Sequence, residues 1–287
     1  MTWNRAKACG VLVAVFGGCR AHASITPPLT IEEDPGSENA VVADILEHHR
    51  FHHQGGVLML TAMSLDALGL PDEKQIQAER IQSDLLGKLR PAVHAERDLV
   101  NLLADGVSAG AIDRARVDAA VAEVARTTAE ARKASIDDVN RLHALLSPSE
   151  RSALIDRIDA HWALWRQANA GDQGHVSVVG KELALTADQL AKVQSSLDAD
   201  AGAAPKLDSQ VDAELRELTN AFRWDTFDAH TLAAADPGDR QMAAVGAGRL
   251  ARFCEAVNPV LNEGQRATLV DILRSHLNHD QPEAVQP

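Results

Sequence analysis

The chain contains no tyrosine, and aromatic residues occupy only 3% of its 287 positions. Hydrophobic residues nevertheless make up 45% of the sequence, which is too many for a disordered chain. Any core must therefore be aliphatic. Long stretches rich in Ala, Leu, Asp, Glu and Arg, with few β-branched runs, favour helices over strands. We predict an all-α fold.

Cysteine is almost as scarce, with Cys9, Cys19 and Cys254 the only three. Cys9 lies in a segment that we expect to be removed, and Cys19 is either removed with it or lipidated. Cys254 then has no partner within the chain. Disulfides are therefore not expected to hold this fold together.

Two classes of function lack their sequence signatures. The 28 basic residues are outnumbered by 41 acidic ones, and a net charge of −13 does not suit a nucleic-acid binder. The motif H-E-x-x-H, the P-loop and a strand-linked G-x-G-x-x-G are missing as well. We predict neither a nucleic-acid partner nor an enzyme, and no required cofactor.

The N-terminus resembles an export signal. Arg5 and Lys7 precede an apolar stretch, residues 8–18, that is too short to span a bilayer. Two processing routes remain open. Ala21-His22-Ala23 fits cleavage after residue 23, whereas Phe16-Gly17-Gly18-Cys19 resembles a lipobox that would leave a lipid anchor on Cys19. Either route predicts a periplasmic or otherwise exported protein, in contact with a membrane only through such an anchor.

A pattern recurs along the chain at a separation of 115 residues. The stretch Leu146-Ser147-Pro148-Ser149-Glu150-Arg151 has its counterpart in Leu261-Asn262-Glu263-Gly264-Gln265-Arg266. Similarly, the stretch Leu70-Pro71-Asp72-Glu73-Lys74 corresponds to Leu185-Thr186-Ala187-Asp188-Gln189. Two motifs that share one separation indicate an internal duplication.

Three of these four stretches carry the spacing of a helix capping box. In such a box the N-cap side chain accepts from the N3 amide, and the N3 side chain accepts from the N-cap amide. The predicted pairs are Thr186 with Gln189, Ser147 with Glu150, and Asn262 with Gln265. At the fourth stretch Pro71 and Lys74 replace the capping residues. Each half is thus expected to contain two helix starts.

The duplication predicts two tandem helical units within one chain. We assign residues 1–23 to the signal peptide, 24–40 to a flexible segment, 41–166 to the first unit, 167–180 to a linker, 181–279 to the second unit and 280–287 to a disordered tail. The helical run from Ile76 is expected to kink or break at Pro91. A single long helix is expected from Ala111 to Leu145.

The repeated L-T-x-x-Q pattern, complete in Leu185 to Gln189, resembles the Spy/CpxP family of periplasmic proteins. The resemblance covers both halves and implies helical hairpins that pair in a cradle-shaped homodimer, or here an intramolecular pseudo-dimer. It implies ATP-independent binding of unfolded or stress-damaged envelope proteins, or binding to an envelope sensor protein. The strongly acidic composition departs from the basic concave surface expected of such chaperones. Two interpretations remain open for a basic group on the helix predicted from Ala111 to Leu145: it lines such a concave surface or, as we expect, it forms a solvated face. The group consists of Arg114, Arg116, Arg126, Arg132 and Lys133.

A cluster of histidines forms the candidate metal site. On a helix, His48 with His52 and His49 with His53 are i,i+4 pairs that each share a face. Two imidazoles can chelate Zn, Ni, Co or Cu, and Glu47 adds an oxygen ligand. The family's metal-sensing branch uses early-helix histidines of this kind. The competing interpretation is that these residues form only a hydrophilic helix end.

Overall fold

The computed structural model describes residues 61, 64–65, 68–169, 173–202, 209–232 and 238–279. Within these ranges the secondary structure is helical and no strand is present. The all-α prediction is therefore confirmed. The predicted signal peptide, the N-terminal segment 24–40 and the tail 280–287 lie outside the described residues, as do Glu47, the four clustered histidines and Cys19.

The helices follow one another with short connections. Their bounds are α1 Asp72–Ala109, α2 Arg114–Ala134, α3 Ile136–Leu145, α4 Pro148–Asn169, α5 Gln173–Glu182, α6 Ala187–Asp200, α7 Ser209–Arg223, α8 Ala229–Leu232, α9 Gly238–Val257 and α10 Glu263–His279, with a 3-10 turn at Asn258–Val260. The predicted linker, residues 167–180, is largely helical where it is described, since α4 extends to Asn169 and α5 begins at Gln173.

Helix α1 is the longest of the helices described. Its 38 residues give it a length of about 57 Å. It forms an antiparallel hairpin with α2, which begins after a left-handed turn at Gly110. Further contacts join α2 to α9, α1 to α10, α7 to both α4 and α9, and α6 to α9. The α1–α2 hairpin therefore lies against helices from the second half of the chain.

The prediction of a kink or break at Pro91 was wrong about the break, because α1 runs through it. Pro91 and Gly87, whose carbonyl loses its helical partner, both lie on the exposed face of α1. Water can therefore satisfy that carbonyl. On the opposite face Leu89 and Ala92 are fully buried. Their packing in the core stabilises the helical conformation on both sides of the proline.

The helix predicted from Ala111 to Leu145 is instead two helices that meet at Ser135. The Ser135 hydroxyl is buried and donates to the carbonyl of Ala131 at 2.8 Å, while its backbone amide bonds to Arg132. A hydroxyl that bonds to the preceding turn competes with the regular backbone pattern. The local bond thus ends α2 and begins α3.

The aliphatic core consists of two clusters. We name them the Leu103 cluster and the Leu89 cluster after fully buried leucines of α1. The Leu103 cluster contains the C-terminal half of α1 and residues of α2, α5, α6, α9 and α10. The Leu89 cluster contains the N-terminal half of α1 and residues of α3, α4, α7 and α9. Each cluster therefore contains described residues from both sides of the predicted linker.

The packing of α1 generates a stability prediction. The Leu103→Ala substitution removes a side chain with no exposed surface, and we expect it to lower the free energy of unfolding by about 2–5 kcal/mol. Leu86→Ala is the matched control, because Leu86 is also a leucine of α1 but is 42% exposed. This substitution should change the free energy of unfolding by less than about 1 kcal/mol. Urea unfolding followed by circular dichroism measures both values. Equal losses in the two variants would contradict this description of the core.

Candidate functional site

The capping residues of the second half form a symmetric junction. The Thr186 hydroxyl accepts from the amide of Gln189 at 3.2 Å, and the Gln189 side chain accepts from the amide of Thr186 at 2.9 Å. Asn262 and Gln265 form the same pair of bonds, at 2.9 and 3.0 Å. Each glutamine is thus fixed at the third position of its helix, α6 or α10.

The two glutamines also contact each other. The side-chain amide of Gln189 donates to Gln265 at 2.8 Å, and that of Gln265 donates to Gln189 at 3.2 Å. Gln189 further donates to the carbonyl of Val260, and Gln265 to the carbonyl of Leu183. The caps therefore do more than start two helices, since they also join the helix starts to each other.

The first half contains the charged counterpart of this junction. The Glu150 carboxylate accepts from the amide of Ser147 at 2.7 Å, and the amide of Glu150 bonds to the Ser147 hydroxyl at 3.4 Å. Lys74, the first-half counterpart of Gln189, donates to Glu150 at 2.6 Å. This hydrogen bond from Lys74 is the main reason that the pKa of Glu150 falls to about 2.

Two further features repeat at the same separation of 115 residues. Arg151 donates to the carbonyl of Leu146 at 3.0 Å, and Arg266 donates to that of Leu261 at 2.6 Å. Left-handed backbone occurs at Gly69, with φ of 60°, and at its counterpart Ala184, with φ of 47°. The local geometry of the helix starts is therefore shared by the two halves, although their cores are intermixed.

A second feature is the loop of residues 224–228, between α7 and α8, which lies against the corner formed by α3 and α4. Trp224 accepts a hydrogen bond through its carbonyl, Asp225 pairs with the buried Arg151, and Asp228 accepts from a side chain of α3. Arg223, just before the loop, bonds to the carbonyl of Ser152 and to Asp156. These contacts fix the loop, yet the Trp224 side chain is 70% exposed.

Two residues of the basic group on α2, Arg126 and Arg114, form ion pairs. Arg126 pairs with Glu123 and with Glu130, the latter at 2.6 Å. Arg114 pairs with Glu255 at 2.8 Å and with Asp200 at 3.3 Å. Neighbouring carboxylates therefore neutralise both charges, which favours the interpretation of this group as a solvated face.

Nothing in the described part of the chain forms a metal site or a reactive thiol. No group of three or more residues of the metal-binding types comes together there. Cys254 is fully buried, and its burial raises the pKa of the thiol to about 12, so the nucleophilic thiolate is suppressed at neutral pH. The histidine cluster stays a prediction, because it lies outside the described residues. None of the helices described is long and apolar enough to cross a membrane.

Comparison with known proteins found no family model, no curated protein and no solved structure that matches the chain.

The Lys74–Glu150 pair predicts an acid-dependent contribution to stability. Because the pKa of Glu150 in the folded chain lies below its usual 4.5, the pair stabilises above pH 4.5 and this contribution is lost as the pH falls towards 2. The double variant Lys74→Gln, Glu150→Gln reproduces the neutral junction of the second half. We expect it to lose about 0.5–1 kcal/mol less than the native chain on acidification, the range of a solvent-screened ion pair.

Urea unfolding at pH 7 and pH 3 tests this expectation. The control is Gln77→Ala, which changes an exposed, non-titrating side chain about one turn from Lys74 on α1 and leaves the Lys74–Glu150 pair intact. Identical pH dependence in the double variant and the native chain would rule out a contribution from the pair.

Proposed function

We propose that this protein is an ATP-independent, periplasmic chaperone-like protein that binds unfolded clients through amphipathic helix surfaces. The observation that carries the proposal is the exposed Trp224 side chain on a loop held by contacts on several sides. Exposing a large aromatic side chain to water is unfavourable, and tryptophan contributes strongly to binding when a partner covers it. In a chain with so few aromatic residues, Trp224 is a candidate anchor for clients.

Exposed aliphatic side chains on α1 support the same proposal. Ile76 is 51% exposed and Leu86 is 42% exposed, while the other face of this helix is packed in the core. Clients that expose apolar segments would contact these side chains without nucleotide and without a catalytic group. Since the chain is strongly acidic, apolar contact is a better basis for capture of acidic clients than electrostatic attraction.

Suppression of aggregation tests the chaperone proposal. We expect the full chain, added at equimolar concentration, to suppress the light scattering of chemically reduced insulin. The triple variant Ile76→Ser, Leu86→Ser, Trp224→Ser should lose most of this effect. A matched variant, Arg80→Ser, Arg90→Ser, Glu217→Ser, changes exposed charged residues on α1 and on α7, the helix that precedes Trp224, and should retain it.

Two results would overturn the proposal. One is a failure of the native chain to suppress aggregation of this and other reduced or heat-stressed clients. The other is full suppression by the apolar triple variant, which would show that these side chains do not bind clients. Selective binding to one folded envelope sensor protein, without effect on aggregation, would instead favour a regulatory module.

Metal binding is the second candidate function, and the spacing of His48, His49, His52 and His53 favours it. In this proposal the protein is a heavy-metal sensor or buffer. Isothermal titration of the full chain with Zn, Ni, Co and Cu at neutral pH should then give stoichiometric, sub-micromolar binding. Replacement of all four histidines by alanine should abolish it, whereas the control His94→Ala should not. Unchanged affinity in the quadruple variant would exclude the cluster as the site.

A further inference from the structure

His143 lies at the contact between α3 and the loop of residues 224–228. It is only 7% exposed. Its ring stacks on Phe227, with centroids 4.8 Å apart, and meets Phe222 edge-on at 5.1 Å. The imidazole is therefore enclosed by an aromatic pair that comes from α7 and from the loop.

The same ring is hydrogen-bonded to the loop backbone. Nε2 of His143 lies 2.8 Å from the carbonyl oxygen of Trp224. A carbonyl oxygen only accepts, so Nε2 carries the proton and donates it. In the neutral ring the other nitrogen, Nδ1, is then unprotonated, and it is the atom that would take up a proton on acidification.

The two nearest charged side chains have opposite effects on the pKa of His143. Arg151, from α4, has a side chain that is 7% exposed and pairs with the more exposed Asp225 of the loop. Burial is the main cause that lowers the pKa of His143, and the positive charge of Arg151 adds to it. The Trp224 carbonyl and Asp225 oppose this effect only in part, so the net direction is downwards.

Several other charged groups on the surrounding elements are paired with one another. On α3, Asp138 pairs with Lys88 of α1, and Arg141 pairs with Asp84. Asp137 bonds to His230 of α8, Asp228 accepts from Asn140, and Arg223 of α7 binds Asp156 and Asp159. Asp225 is therefore the carboxylate that offsets the Arg151 charge at the ring.

We propose that His143 is a proton-sensitive latch, in which protonation of its ring releases the 224–228 loop from the α3–α4 corner and uncovers Phe222 and Phe227. A charged imidazolium between two phenyl rings and beside a buried guanidinium is poorly solvated. Separation of the loop from α3 lets water reach the ring. It also hydrates Nε of Arg151, which is buried without a hydrogen-bond partner.

The pH window follows from the direction of the shift. In the closed loop the pKa of His143 lies below its usual 6.5, whereas in the open loop it returns towards that value. The latch is therefore fully effective above pH 6.5 and weakens as the pH falls through the lower, closed-state pKa. It would act on the loop whether or not the chain binds clients.

The second half of the chain supplies the matched substitution. The counterpart of His143 at the separation of 115 residues is Asn258, which is also buried, with 4% of its surface exposed. Asparagine keeps a hydrogen-bond donor but does not titrate in this range. His143→Asn therefore removes the proton acceptor while using a residue that the chain itself tolerates at the equivalent position.

Hydrogen–deuterium exchange of the full chain at pH 7.5 and 5.5, corrected for intrinsic exchange, tests the latch. In the native chain we expect exchange in residues 222–230 to increase on acidification by up to about tenfold, the limit set by one histidine that titrates near 6.5. Residues 187–200, in α6, should show no such increase. His143→Asn should abolish the increase, while the control His230→Asn, at an exposed histidine near the loop, should retain it.

Measurement of the His143 pKa in the native chain by NMR gives a test that needs no variant. A value below 6.5, together with the local increase in exchange, supports the latch. The proposal is overturned by a pKa at or above 6.5, by a native loop whose exchange does not depend on pH, or by a His143→Asn chain that keeps the pH response.

Discussion

The structure depends above all on the burial of one face of α1 in two aliphatic clusters. Leu85 and Leu89 occupy the Leu89 cluster, and Leu99 and Leu103 occupy the Leu103 cluster, all with no exposed surface. Each such side chain contributes about 1.5–3 kcal/mol when it is fully buried. Because a single rigid helix enters both clusters, the helices that complete one cluster are fixed relative to those that complete the other.

Several features were predictable from the sequence because their causes are local. A hydroxyl or amide side chain followed three residues later by Glu or Gln satisfies backbone groups within one turn, whatever the remainder of the chain does. Thr186, Ser147 and Asn262 accordingly form the capping hydrogen bonds that the sequence spacing predicts. Helical class was predictable for a similar reason, since composition and periodicity report on backbone preference over many residues.

Other features required tertiary information that spacing does not contain. Continuity of α1 through Pro91 depends on which face of the helix is buried, and a local rule about proline does not include this. Lys74 was recognised only as a departure from the capping pattern, although its partner Glu150 is the counterpart of a capping glutamine. His143 and the 224–228 loop gave no sequence signal, because the contact joins residues about 80 positions apart. The spacing of residues along the sequence likewise does not indicate which half of the chain supplies the residues of each core cluster.

The mixing of the two halves in each cluster has a consequence for the order in which the chain folds. During synthesis α1 and α2 emerge long before α9 and α10, which supply Cys254, Val257 and Leu269 to the Leu103 cluster. The early hairpin can form its helices but cannot finish its core until nearly the whole chain is available. Its aliphatic face therefore stays open to water in the nascent chain, and completion requires the slow closure of long-range contacts. A chain truncated before α9 would keep its helical propensity while remaining prone to aggregate.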